Sequence, residues 1–570
     1  MRLGVFLSAL ALLPAATSAQ PHVSTVPALR ADQYESLILL GRVWGFAKYH
    51  HSRFVVAGAN ADSALFNAVP RVLGARSSTS ARDSIAAWLD AVGTPTPCSS
   101  DCVAPPTSTA LTPEIGWTRD TALVGAGLAR RLGIIYAARK QVARQHYVAS
   151  ASPQVNNPEF TNEPGYDVRD LARPEVRALG VFRLWNILEF WFPYRDLMEK
   201  DRVALLRDAL PAAWGAEQVD DYQRVLFRLI ARAGDTHANI WSALAARPPV
   251  GAYSVPVALR MIEGKPVVFG FLNDSLGPRS GLRVGDAILS VDGVAVDSLF
   301  RAWRPFYAAS NEPTRQRDMA RGLLRSASVQ AVLVVDRAGQ RTTMRVARVP
   351  VTQIDGRAGN THDLPGETFR LLTPEVAYVK LGPLKRDSVD SYLARAKNAK
   401  VLVIDNRNYP SDFPIYELGG HLTWYPKPFA RFTRADWSNP GAFLWDGGET
   451  TLQPKAPIFA GKVVVLVDEV TQSSSEFHAM AFRTAPGALV VGSTTAAADG
   501  NVSPIPLPGG MRAMITGIGT FYPDRRPTQQ IGIVPDVVVR PTLAGFRSGH
   551  DEVLEAAVSR ALGRAFRLVQ

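Results

Sequence analysis

A chain of 570 residues, 46% hydrophobic and 20% charged, is globular rather than disordered and too long for one core, so about three or four domains are expected. Its formal net charge of +12 is spread along the whole chain with no block of consecutive basic residues. That pattern argues for a solvated basic surface and against a nucleic-acid groove.

Residues 1–19 have the layout of a secretory signal. Arg2 gives the positive end, Val5 to Leu13 the apolar centre, and Thr17-Ser18-Ala19 a small-residue cleavage site before Gln20. Cleavage after about Ala19 would leave a periplasmic or secreted protein. No later apolar run approaches the length of a membrane span. The two cysteines, Cys98 and Cys102, have no second Cys/His pair nearby. In an exported chain this favours a local disulfide over a metal pair, with a redox role as a further option.

Residues 20–145 carry helical patterning with aromatics, including Trp44. After a polar, Asn- and Pro-rich linker at 146–165, a similar stretch returns at 166–248. Trp44, Pro70 and Gly93 recur as Trp185, Pro211 and Gly234, all at an offset of 141, which points to a duplicated helical region. The copies differ after the shared glycine. The first reads Thr94-Pro95-Thr96 and the second Asp235-Thr236-His237. A histidine gained in one copy singles out that loop, although an ordinary surface or core histidine remains open.

Between 249 and 348 the pattern changes to short strands, with glycines at Gly281, Gly285 and Gly293 where the backbone needs positive φ. Gly281-Leu282-Arg283-Val284-Gly285-Asp286 followed by Asp292-Gly293 resembles the PDZ module of bacterial proteases. That resemblance implies a sheet edge able to take a peptide as an added strand, with Gly281, Leu282 and Phe271 as its substrate-binding residues. From 349 to 545 strands alternate with helices, as in an α/β sheet whose sites lie at the carboxyl ends of its strands. The run Val463 to Val467 reads as a strand buried on both faces. It leads through a polar turn into Ser473-x-x-Glu476, either a helix capping box or a serine presented beside free N–H groups. Residues 546–570 read as an amphipathic C-terminal helix.

Together these elements resemble the tail-specific (C-terminal-processing) serine peptidases. The resemblance implies a multidomain α/β protein: a ClpP/crotonase-like catalytic core with a PDZ β-domain and the helical region. It places the nucleophile on Ser473 and the oxyanion N–H groups on Ser474 and Ser411, the latter in Asp405-Asn406-Arg407-Asn408-Tyr409-Pro410-Ser411-Asp412, where the family has a glycine pair at 411–412. The lysine that the processing peptidases place about 25 residues on is absent; Ala498 stands there. The resemblance is therefore to the tricorn-like branch, with His237 of Thr236-His237 as base. That branch has an acidic residue before Gly532-Ile533-Val534-Pro535-Asp536, where this chain has Gln529 and Gln530. Thr236, Gln530 and Asp499 are the relay candidates, with Asp235 a weak one because adjacent side chains rarely converge. The reading implies an exported serine endopeptidase acting on extended or partly unfolded proteins without cofactor or metal. The alternative is a catalytically impaired peptide- or ligand-binding protein on the same fold.

Overall fold

The computed structural model describes residues 26–152, 155–356 and 359–568, and the signal segment expected at 1–19 lies outside them. The carboxyl-terminal core is a six-stranded sheet in the order Phe369–Thr373, Val376–Lys380, Val401–Asp405, Lys462–Val467, Leu489–Gly492 and Val537–Val538. The first pair is antiparallel and the other four pairs are parallel. Alternate side chains of the central strand divide between two cores. Val463, Val465 and Val467 pack with Phe477, Met480 and Phe482 of the helix Ser474–Phe482. Val464 and Leu466 pack on the opposite face with Val553, Leu554, Ala557 and Val558 of the helix Glu552–Leu562. The last helix is thus a layer of the core, which is why its predecessor strands are apolar throughout rather than alternating.

In the amino-terminal region the long helices Ala31–His50 and Pro174–Trp191 lie against each other. Trp44 Nε1 donates to the Ala61 carbonyl at 2.8 Å and Trp185 Nε1 to the Arg202 carbonyl at 2.7 Å, each at the entry of the next helix. Pro70 and Pro211 sit inside those next helices, and Gly93 and Gly234 leave the third helices at φ 110° and 60°. Asn186 Nδ2 reaches the Gly41 carbonyl across the helix pair at 3.1 Å. A Cβ on Gly45 would lie 1.8 Å from Asn186 Oδ1. Gly45→Ala is expected to destabilise the protein by about 1–3 kcal/mol through overpacking, read as a lower midpoint in chemical denaturation. Cys98 and Cys102 are joined by a disulfide.

Residues 257–347 form a six-stranded antiparallel sheet. Its tight hairpin turns on Asp292-Gly293 with φ 50° and 83°, both positive as a two-residue type I′ turn requires. The Leu282 side chain is buried in the hydrophobic core and its N–H is taken by Ser280 Oγ at 3.3 Å. It therefore offers a peptide neither side chain nor donor, which corrects the expectation for that residue. Gly281, at φ 77°, accepts Arg337 on its carbonyl, and Phe271 is half-buried against Gly277.

Two connections bring the regions together. Asn239–Ile240 pairs antiparallel with Met511–Thr516, matching Ile240 to Ala513 and Asn239 to Met514. That register carries the loop at 235–237 alongside Thr516. From the other side Arg260 donates to Asp468 at 2.9 Å, and Arg317 grips the Glu469 carbonyl at 2.6 Å and Gln472 Oε1 at 3.1 Å. The turn between the central strand and its helix is held from outside the core.

Candidate active site

Ser473 stands where the strand Lys462–Val467 has ended and the helix Ser474–Phe482 begins, with φ 55° and ψ −121°. That conformation belongs to glycine; a side chain holds it at about 1–3 kcal/mol, and only where its surroundings enforce it. The enforcement is visible. Ser473 N–H donates to the Ala498 carbonyl at 2.9 Å and to Glu476 Oε2 at 3.2 Å. Glu476, fully buried, also accepts Thr495 Oγ1 at 2.5 Å, Ala497 N–H at 2.9 Å and Ala498 N–H at 3.0 Å. Burial pushes its carboxyl up to about 7, opposed by those same donors. The second half of the Ser-x-x-Glu motif therefore clamps the segment Ala496–Ala498 against the turn at Ser473.

The turn after Val401–Asp405 is welded to this helix. Ser475 Oγ donates to the Asn408 carbonyl at 2.5 Å, Thr471 Oγ1 to the Asn406 carbonyl at 2.8 Å, and Asn406 Nδ2 to the Ser475 carbonyl at 3.2 Å. Arg407 closes the turn with bidentate bonds to Asp405 and to Asp551 at the start of the last helix, all between 2.7 and 3.0 Å. Replacing it by methionine leaves buried carboxylates uncompensated, and Arg407→Met is expected to cost about 3–5 kcal/mol in a denaturation experiment. Ser411 is not the second oxyanion donor. Its N–H is spent on the Gly382 carbonyl at 2.8 Å. Tyr409, two residues earlier, makes no backbone N–H bond among the described residues and lines the same cavity as Ser473 and Ser474. The N–H of Ser474, first in its helix, has no intrahelical partner either.

His237 is buried, and its Nδ1 lies 2.9 Å from Thr516 Oγ1, which lies 2.9 Å from Asp235 Oδ1. Donor and acceptor counting assigns the protons. A carboxylate accepts, so the threonine hydroxyl donates to Asp235 and must accept from His237 Nδ1–H, leaving Nε2 as the basic nitrogen. Asp235 also accepts the His237 N–H at 3.0 Å and the Thr516 N–H at 2.8 Å. Burial lowers the His237 pKa and the Asp235 charge opposes that shift. The adjacent carboxylate and imidazole do converge, through a third residue 279 positions from the histidine, which no spacing in the chain announces.

The other relay candidates fall elsewhere. Gln530 Nε2 donates to the Gly234 carbonyl at 3.3 Å and does not reach the imidazole; its neighbour Gln529 donates to Asp235 Oδ1 at 3.3 Å and to Ser310 Oγ at 3.2 Å. Thr236 Oγ1 donates to the Ala496 carbonyl at 2.9 Å. The histidine loop and Ser473 are thereby both tied to the segment Ala496–Ala498. Asp499 lines the Ser473 cavity without a bond to His237 or Ser473. No hydrogen bond joins Ser473 Oγ to His237 among the described residues, but Gln472, next to the serine, lines a cavity of about 540 Å³ together with His237. His362, Asp468 and Glu469 cluster closely enough to hold a cation. Arg260 already pairs with both carboxylates there, an ion-pair arrangement rather than a metal's donor set.

A largely parallel sheet thus presents a strained serine at a helix amino terminus, and a buried histidine is tied through Thr516 to the Asp235 carboxylate. Residues 375–539 match the family described as Peptidase family S41. The chain carries an S41 peptidase domain and is a serine-type peptidase. Mature CPAF is 15% identical over 70% of this chain and 99% of its own, with a TM-score of 0.54. Mature CPAF complexed with lactacystin is 16% identical over 66% and 95%, with a TM-score of 0.52. A protein from Parabacteroides merdae ATCC 43184 is 14% identical over 68% and 97%, with a TM-score of 0.43. At these identities the CPAF likenesses speak for the fold. No curated protein matches the chain.

Proposed function

We propose that the protein is an exported endopeptidase that cleaves extended or partly unfolded polypeptides through an acyl-enzyme on Ser473. The observation that carries this reading is the Ser473 backbone, a glycine-only conformation held by buried Glu476 at a strand–helix junction. A helix cap needs no such strain, whereas a nucleophile turned out beside free N–H groups does.

His237 Nε2 takes the hydroxyl proton as Ser473 Oγ bonds the substrate carbonyl carbon. The oxyanion is received by the Ser474 and Tyr409 N–H groups. The imidazolium, steadied by Asp235 through Thr516, then gives its proton to the leaving amine as the C–N bond breaks. Water, deprotonated in turn by His237, releases the acyl group and restores the serine. Catalytic hydrogen bonds are often long before substrate binds, and this reading requires Ser473 Oγ and His237 Nε2 to come within hydrogen-bond reach when it does. Thr236, beside His237, and Ser473 both bond to the segment Ala496–Ala498, which links the two loops.

The 257–347 region acts in this reading as a PDZ-like holder of substrate, gripping the nucleophile turn through Arg260 of its sheet and Arg317 of the helix Glu312–Gly322. Among the described residues no helix is long and apolar enough to cross a membrane. The test is a fluorophosphonate probe on the full chain, with hydrolysis of a denatured protein followed in parallel. Labelling that survives Ser473→Ala would overturn the assignment.

A further inference from the structure

Ser473 lines a cavity of about 420 Å³. Its walls are aromatic. Tyr409, Phe413 and Tyr416 are exposed, and Phe432 and Phe477 continue the surface inward, with the Phe413 and Phe477 rings stacked at 6.1 Å. Three exposed aromatic side chains gathered beside a nucleophile form a surface that a soluble protein rarely leaves without a ligand.

The polar content of this cavity is what gives it direction. At its rim Arg434 and Asp446 face each other at 3.5 Å and cancel as charges. Asp499, only 4% exposed, is different. Its Oδ1 accepts the Gly500 N–H at 2.7 Å, while Oδ2 is buried without a partner among the described residues. A buried carboxyl oxygen left unmet is costly, and more so if ionised. Burial, and then the nearby Glu476 charge, push the Asp499 carboxyl well above its usual range. A cationic donor entering the cavity would meet Asp499 Oδ2 and draw that carboxyl back towards its charged form. The faces of the surrounding rings act in the same sense, because their quadrupoles attract a cation and their area covers its aliphatic stem.

We propose that this cavity receives a lysine or arginine side chain adjoining the scissile bond, with Asp499 as the group that reads its charge. The proposal rests on Ser473 being the nucleophile, as set out above. A long cationic side chain satisfies Asp499 Oδ2 and lines its stem with the aromatic walls; an aliphatic one of equal length does only the second.

The experiment has two stages. Reduced, denatured casein is digested with the full-length protein and the new termini are mapped by mass spectrometry. Matched peptides built on one cleaved sequence, differing only as lysine, norleucine or tyrosine at the selected position, are then compared by kcat/KM. Lysine or arginine should dominate one of the two positions flanking the cut. The lysine peptide should exceed the norleucine peptide by about tenfold or more. In Asp499→Asn that ratio should fall towards one, with fluorophosphonate labelling confirming a folded site. Cleavage after or before aliphatic or aromatic residues alone, or a lysine-to-norleucine ratio untouched by Asp499→Asn, overturns the inference. Absence of any Ser473-dependent cleavage is a different result, and overturns the peptidase mechanism on which it rests.

Discussion

Ser473→Ala is expected to lower kcat by about 10⁴- to 10⁶-fold and abolish fluorophosphonate labelling, because the neighbouring hydroxyls are engaged elsewhere: Ser474 Oγ lies 3.5 Å from His478 Nδ1 and Thr471 Oγ1 donates to the Asn406 carbonyl. Ser474 is the first helical residue, and Ser475 Oγ is committed to the Asn408 carbonyl. The stability of two substitutions separates nucleophile geometry from an ordinary cap. At φ 55° and ψ −121° an alanine carries the same backbone strain as serine, whereas glycine does not. Ser473→Gly should therefore be more stable than Ser473→Ala by about 1–2 kcal/mol while remaining equally inactive. The reading is a thermal or urea midpoint on the two variants side by side. An N-cap in the usual extended conformation also tolerates glycine better than alanine, by about 0.5–1 kcal/mol, so the excess over that difference is what reports the strain. Equal midpoints would remove the argument from strain.

Strand content of the catalytic core was legible because buried parallel strands are continuous apolar runs. Val401–Asp405 and Leu489–Gly492 form over the residues that the pattern marks. Boundaries governed by local hydrogen bonding are harder to read: the stretch between Val376–Lys380 and Val401–Asp405 divides into a 3-10 turn at Arg386–Ser388 and a helix at Val389–Ala396. Ser473 itself was reachable from a short motif. The partners that make it chemical were not. Thr516 meets His237 only because Asn239–Ile240 adds to a strand nearly 280 residues away, and strand register between distant segments leaves no mark in either segment. Ser411 failed as a donor for a related reason. A motif gives the position of an N–H but not which carbonyl folds over it, and here Gly382 does. Asp235 was discounted on adjacency alone, a rule that holds for direct contact and breaks when a bridging hydroxyl intervenes.

The same bridge makes the second large prediction. His237→Ala is expected to cost at least about 10³-fold in kcat, and Thr516→Val about 10²-fold, since valine keeps the shape but neither accepts from Nδ1 nor donates to Asp235. If the carboxylate acts through the hydroxyl, Asp235→Asn and Thr516→Val must be non-additive, with a coupling of about 0.5–3 kcal/mol in the double-mutant cycle. A pH profile distinguishes this role from a purely structural one. Only neutral His237 can take the serine proton, so activity is lost as pH falls through its pKa. Burial lowers that pKa, placing the acid limb of kcat/KM below the ordinary histidine value of about 6.5. The Asp235 charge works in the raising direction. Removing it in Asp235→Asn should therefore slide the acid limb further down in pH even as the maximal rate drops. A limb that stays in place would make Asp235 a fold residue without electrostatic reach to the base. A limb that moves up would require some other group to set the histidine, and the Asp235–Thr516–His237 chain would no longer be the relay.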